Sequence, residues 1–140
     1  MEYFTSKKFG IWFDFKIQPE NEWMKFFGKL ENANITECFI NAKANQLDYL
    51  ISLTKNYNLN IHGWIWTLNR PYDEKCSKNL DWYSVNKNGQ NSYEYRPYVD
   101  YYQWLSPFSE GARDYIKGNI SKISSIDGLS SVHLDYVRYC

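Results

Sequence analysis

The 140-residue sequence predicts an α/β protein built on a parallel sheet. Three observations carry that prediction. Short apolar and aromatic runs alternate with stretches of helical period along the chain. Three of the four runs are almost continuously apolar, as in strands covered on both faces. Strand–helix alternation of this kind is built with right-handed crossovers between parallel neighbours.

The elements follow in order. "FGIWFDF", Phe9 to Phe15, reads as a strand. "QPENEW" places Pro19 and acids where a helix would begin. In "NEWMKFFGKLENAN", Trp23, Phe26, Phe27 and Leu30 recur at three and four residues, an amphipathic helix. "ITECFINA" is a second strand. "NQLDYLISLTKNYN" is a second helix, with Leu47, Leu50, Ile51 and Thr54 on one face. "LNIHGWIWTL" is a third strand. Residues 69–108 then break the rhythm. They are rich in Asn, Tyr, Pro and Gly, too polar for a core and too aromatic for a disordered linker. Asn88-Gly89 within them is a hairpin signal. "SPFSEGARDYIKGNISKISSI" opens with capping residues and spaces Ala112, Tyr115, Ile116, Ile120 and Ile123 as a helix. "LSSVHLDYV" is a fourth strand.

Composition narrows the function. Lys+Arg and Asp+Glu each total 16, so charge draws the chain to neither nucleic acid nor an anionic membrane. No stretch reaches the roughly 18 apolar residues that span a bilayer. The start, "MEYFTSKKFG", has no signal-peptide core. Three cysteines without C-x-x-C spacing signal neither a zinc cluster nor a redox pair. Cys38 reads as a buried thiol, and Cys76 and Cys140 as loop residues. With 6 Trp and 13 Tyr, the chain has either a Tyr-rich core or a surface that stacks on flat apolar faces such as sugar rings.

In parallel α/β folds, function gathers at the carboxyl ends of the strands. Here those ends offer Asp14, Asn41, the run from Trp64 to Arg70, and the run from Asp135 to Tyr139. There is no G-x-G-x-x-G, P-loop or G-x-S-x-G, which argues against nucleotide binding and serine hydrolysis. No cofactor is implied, and two histidines in strands do not make a metal site. Asp135 is the sharpest candidate. It is either a functional carboxylate or an acid that pairs with Arg138 to fix its loop. By alternation, His133 and Asp135 share one face of their strand, as do His62, Trp64 and Trp66 of theirs. Asp14, in so apolar a strand, must be paired, hydrogen-bonded or functional.

"IHGWIWTLNR", "WYSVNKNGQNSYEYRPYVDYYQWLSP", "ARDYIKGNI" and "VHLDYVRY", in this order, resemble the glycosyl-hydrolase-like family 10 barrels and their relatives. The resemblance runs over nearly the whole chain and is strongest from Ile61 onward. It implies a glycoside-hydrolase-like (β/α)8 fold. This chain supplies about four parallel strands, three helices and a long loop after the third strand. It would thus be the amino-terminal half of such a barrel, a piece of a longer enzyme and inactive alone. The resemblance implies that Asp135 ends barrel strand four as a nucleophilic or charge-stabilising acid. It implies that His62, Trp64, Trp66, Asn69 and Arg70 line a sugar site, walled by Trp82 and the tyrosines of the long loop, with Asp14, Arg138 and Tyr139 beside it. The implied partner is a poly- or oligosaccharide, with no nucleic acid or membrane partner. Open sheet edges could also pair with a second copy. Export of relatives favours an extracellular or periplasmic site. Two other readings stay open: a carbohydrate-binding barrel without catalysis, and a small α/β protein in which Asp135 is structural.

Overall fold

The computed structural model describes residues 7–138. Tyr139, expected at the sugar site, and Cys140, expected in a loop, lie outside the described residues. Four strands form one sheet: β1 (Phe9–Asp14), β2 (Ile35–Asn41), β3 (Asn60–Trp66) and β4 (Ser131–Asp135). Their order is β1-β2-β3-β4. β1 and β2 pair in parallel, as do β2 and β3. Ser130 N–H donates to Ile61 O, and Thr67 N–H to Asp135 O, so β4 runs in the same sense along β3. The three expected helices are α1 (Glu20–Asn32), α2 (Ala44–Thr54) and α4 (Glu110–Ser124). The short helix α3 (Glu74–Ser77) and a 3₁₀ turn (Leu80–Trp82) were not expected.

The chain divides into two compact units. The first holds the described residues up to Ile65 together with Lys122–His133. The second holds Trp66–Ser121 together with Leu134 onward.

In the first unit, one sheet face meets helices. Cys38, Ile40 and Ile61 from the strands and Trp23, Phe27, Leu30, Leu47 and Leu50 from α1 and α2 form one buried cluster. Ile123, in the last turn of α4, packs on it. A doubly wound sheet would carry helices on both faces. Helices on one face and strands in sequential order are the winding of a (β/α)8 barrel, here four strands of it. The near-continuous apolar strands suggested cover on both faces. The face away from the helices instead carries an aromatic stack, and Trp12 in it is 49% exposed.

Gly63 lies on the helix-covered face of β3, where a Cβ would stand 2.7 Å from Ile123 Cγ2 and 3.3 Å from Leu47 Cδ1. Only a residue without a side chain lets the helices approach this closely.

The second unit corrects the reading of residues 69–108 as too polar for a core. Cys76, Tyr83, Leu105, Ala112 and Ile116 form a buried cluster of their own. Cys76 is therefore a helical core residue rather than a loop residue. Burial, with the charge of Asp73, pushes its thiol up to about 12. Antiparallel bridges Asn69↔Trp104 and Tyr83↔Leu105 tie the long segment to itself. Asn88-Gly89 forms the expected turn, with Gly89 at φ +80 and its N–H donating to Asn86 O. One bridge, Val85↔Asn91, closes it instead of a full hairpin. The turn is held largely by side chain: Asn86 Oδ1 accepts from the N–H groups of Asn88 and Gln90.

Candidate functional site

The helix-free face of the first unit is an aromatic ladder across the strands. Trp12 stacks on Phe39 at 4.5 Å, and Phe39 stacks on His62 at 4.5 Å. His133 meets Trp12 and Phe39 edge-on. His62 and His133 thus both join the aromatic stack of this face.

His62 is held at both nitrogens. Nε2 lies 2.8 Å from Glu37 Oε2, and Nδ1 lies 2.7 Å from Ser131 Oγ. His62 thus uses both ring nitrogens within this unit. The other oxygen of Glu37 accepts from Thr36 and Asn60 and faces Lys8 Nζ at 3.4 Å. Burial raises the Glu37 carboxyl. The bonds from His62, Asn60 and Thr36 and the Lys8 charge outweigh it and lower the group from 4.5 to about 2. A carboxylate held below its ordinary value stabilises the fold fully above pH 4.5. That contribution is lost as pH falls toward 2, and amounts to at most about 3 kcal/mol. Thermal melts of the chain from pH 7 to pH 2 should fall steeply below pH 4.5. The fall should be shallower in Glu37→Gln. Parallel curves for the two proteins would remove Glu37 from acid stability.

Asp14 ends β1 and is exposed. Asn41 Nδ2 donates to its Oδ1 at 2.9 Å, so this acid is satisfied by an amide on the neighbouring strand. Trp64 is half-buried on β3.

In the second unit, β3 and β4 run out into an aromatic cluster. Asp135 accepts the N–H of Tyr136 on Oδ1 at 2.7 Å. Tyr136 sits at φ +53, a left-handed conformation that costs a residue with a side chain about 1 kcal/mol. Several contacts fix it there. Its carbonyl accepts from Leu68 N–H, and its ring lies 4.9 Å from Trp66 and 5.5 Å from Trp104. Burial, then the hydrogen bond with Tyr101, raises the Tyr136 hydroxyl. The chain thus turns sharply directly after the carboxylate, which leaves Asp135 at a strand end held by a strained residue. Backbone strain of this kind clusters at functional sites.

Arg138 lies over three rings, 5.1 Å from the centre of Trp104, 5.8 Å from Tyr102 and 5.9 Å from Tyr136. Its Nη2 donates to Tyr102 Oη at 3.3 Å. Beside it opens a cleft of about 550 Å³, lined by Tyr95, Arg96, Tyr98, Tyr102, Trp104 and Arg138 with polar Ser84, Asn86, Gln90 and Ser92. That volume falls within the roughly 300–1,000 Å³ of small-molecule sites.

Other residues expected at the sugar site have partners within this unit. Asn69 is fully buried, and its Oδ1 accepts the N–H of Gln103. Arg70 donates to Trp66 O and pairs with Asp73 at 3.1 Å. Asp73 in turn caps α3 through the N–H groups of Lys75 and Cys76 and accepts from the Tyr115 hydroxyl. Trp82 is half-buried and tilts on Tyr115 at 5.7 Å. A Cβ on Gly111 would stand 2.5 Å from its Nε1, so it also packs against the start of α4. Sequence reasoning missed Tyr102 and Trp104 as individual side chains, along with Arg96, Glu37 and Ser131. Only the aromatic density of "YVDYYQW" signalled the first two.

No family model matches the chain, and no curated protein matches it. Solved structures do. A polyextremophilic β-galactosidase from the Antarctic haloarchaeon Halorubrum lacusprofundi aligns with a TM-score of 0.71 at 12% identity, over 92% of this chain. A GH36 α-galactosidase from Geobacillus stearothermophilus, solved in complex with stachyose, aligns with a TM-score of 0.64 at 16% identity, over 93% of this chain. In each case the match covers 21% of the other chain, so this sequence spans about a fifth of those proteins. At these identities the likeness is one of fold, a partial (β/α) barrel.

Proposed function

We propose that the chain is part of a carbohydrate-active hydrolase that works on a poly- or oligosaccharide. The observation that carries this reading is Asp135, held at the end of β4 by the left-handed Tyr136, in the unit that also holds the aromatic cleft. Glycoside cleavage takes two carboxyl groups, one of them a nucleophile or a base. Asp135 is assigned the role of nucleophile or charge stabiliser. Trp66 and the tyrosines of the cleft would offer ring faces to the C–H faces of pyranoses, and Arg138 would bind a polar substituent. The finer reading, a member of the glycosyl-hydrolase-like family 10 barrels, is supported by the ordered motifs from "IHGWIWTLNR" to "VHLDYVRY".

A second reading is a barrel that holds a glycan without cleaving it. It is favoured by a cleft lining that contains no carboxylate. Incubating the protein that carries this chain with α- and β-linked oligosaccharides, and counting the reducing ends released, separates the two. Release supports the hydrolase. Binding measured without release supports the second reading. Neither release nor binding across the panel would sink both.

A further inference from the structure

We propose, building on the carbohydrate reading of the second unit's cleft, that it takes an acidic sugar: an oligosaccharide containing uronic acid, bound through its carboxylate. The chain as a whole is balanced, with 16 basic and 16 acidic residues. The cleft is not. Its lining holds two arginines, Arg96 and Arg138, and neither Asp nor Glu.

The state of those arginines is the decisive point. Arg70, elsewhere in the unit, is already neutralised by Asp73. Arg138 is held instead by three aromatic rings and a single hydrogen bond to a tyrosine hydroxyl. Arg96 donates Nη1 to the backbone oxygen of Asp100. Among the described residues, neither has a carboxylate partner. A guanidinium carries five N–H donors in a planar fork that matches a carboxylate. Each of these two uses one nitrogen and keeps the remaining donors for a ligand.

The rings around Arg138 fix its plane before any ligand arrives, so less conformational freedom is lost on binding. A neutral sugar would draw ordinary hydrogen bonds from these groups. A uronate would draw charge-assisted ones, which are roughly twice as strong. The exposed rings of Tyr95 and Tyr98 supply apolar faces for the pyranose itself.

Calorimetry with oligogalacturonate and with its methyl ester compares the same ring with and without its charge. The acid should bind this chain about tenfold more tightly than the ester at low salt, and the gap should narrow as salt rises. Arg96→Gln should bring the two affinities together. Arg96 is exposed and its hydrogen bond goes to a backbone oxygen, so this variant keeps the test clear of folding. Arg138→Lys, which retains charge but loses the fork, should lower the preference part of the way. An ester that binds as tightly as the acid overturns the acidic preference and leaves the carbohydrate reading intact. So does binding confined to neutral oligosaccharides. If polyphosphate binds as tightly as the uronate, the cleft is a general anion surface and the sugar-specific proposal falls. No binding to any of these sugars overturns it together with the carbohydrate reading.

Discussion

Asp135→Asn is expected to lower glycoside turnover by roughly a thousandfold, the scale of losing a group that acts directly on the reacting bond. The melting temperature should barely move. Asparagine keeps a side-chain oxygen where Oδ1 accepts the Tyr136 N–H, so the left-handed turn keeps its hold. Only the negative charge and the nucleophilic oxygen are lost. Asp135→Ala gives the contrast. It removes the acceptor as well, leaves the strained Tyr136 with one restraint fewer, and should cost about 1 kcal/mol of stability. A purely structural Asp135 would show the opposite ordering: little change in turnover for Asn, with Ala damaging both properties through the fold. Undiminished turnover in Asp135→Asn would end the catalytic assignment.

Gly63→Val should produce the largest loss of stability. The new Cβ alone would lie 2.7 Å from Ile123 Cγ2, closer than such atoms come in folded proteins. Its methyls would then reach Leu47, which is fully buried. β3 cannot move away from the helices without disturbing its register with β2, where Gly63 sits opposite Ile40. Overpacking of this kind costs about 3 kcal/mol. Gly63→Ala meets the same Cβ clash without the added methyls and should fall between Val and the native protein. Denaturant melts give the order directly. A Val variant as stable as the native chain would mean that this face of the sheet is loosely packed.

Much of the architecture was legible because it is encoded locally. Trp23, Phe27 and Leu30, and likewise Leu47 and Leu50, repeat at the spacing of a helix face and are the residues that α1 and α2 bury. Asn88-Gly89 encodes a turn through the one residue type that tolerates φ +80 without strain. The single-faced helical cover was not legible. Trp12, Phe39 and His62 are as apolar or aromatic as their neighbours on the buried face, so hydropathy alone could not separate the two sides. Cys76 and Tyr83 gave no periodic signal either. Their burial depends on α4, distant in the chain, where Ala112 and Ile116 complete the cluster. The Glu37–His62–Ser131 tie joins residues 25 and 69 positions apart, and no local pattern encodes such a pairing. For the site, alternation along β4 grouped residues by face but did not say which face the helices cover. It could not show the partners of Asn69 and Arg70, which lie 34 and 3 positions away.

The two buried thiols give each unit its own reporter of opening. Cys38 lies in the core of the first unit and Cys76 in that of the second, and burial raises both to about 12. A thiol so protected reacts with a disulfide reagent only during excursions that expose it. With Cys140 replaced by serine, the two labelling rates become separate clocks for the breathing of the sheet unit and of the cleft unit. Glycan added to the solution should slow the second clock specifically, which converts ligand binding at the cleft into a local measure of rigidity.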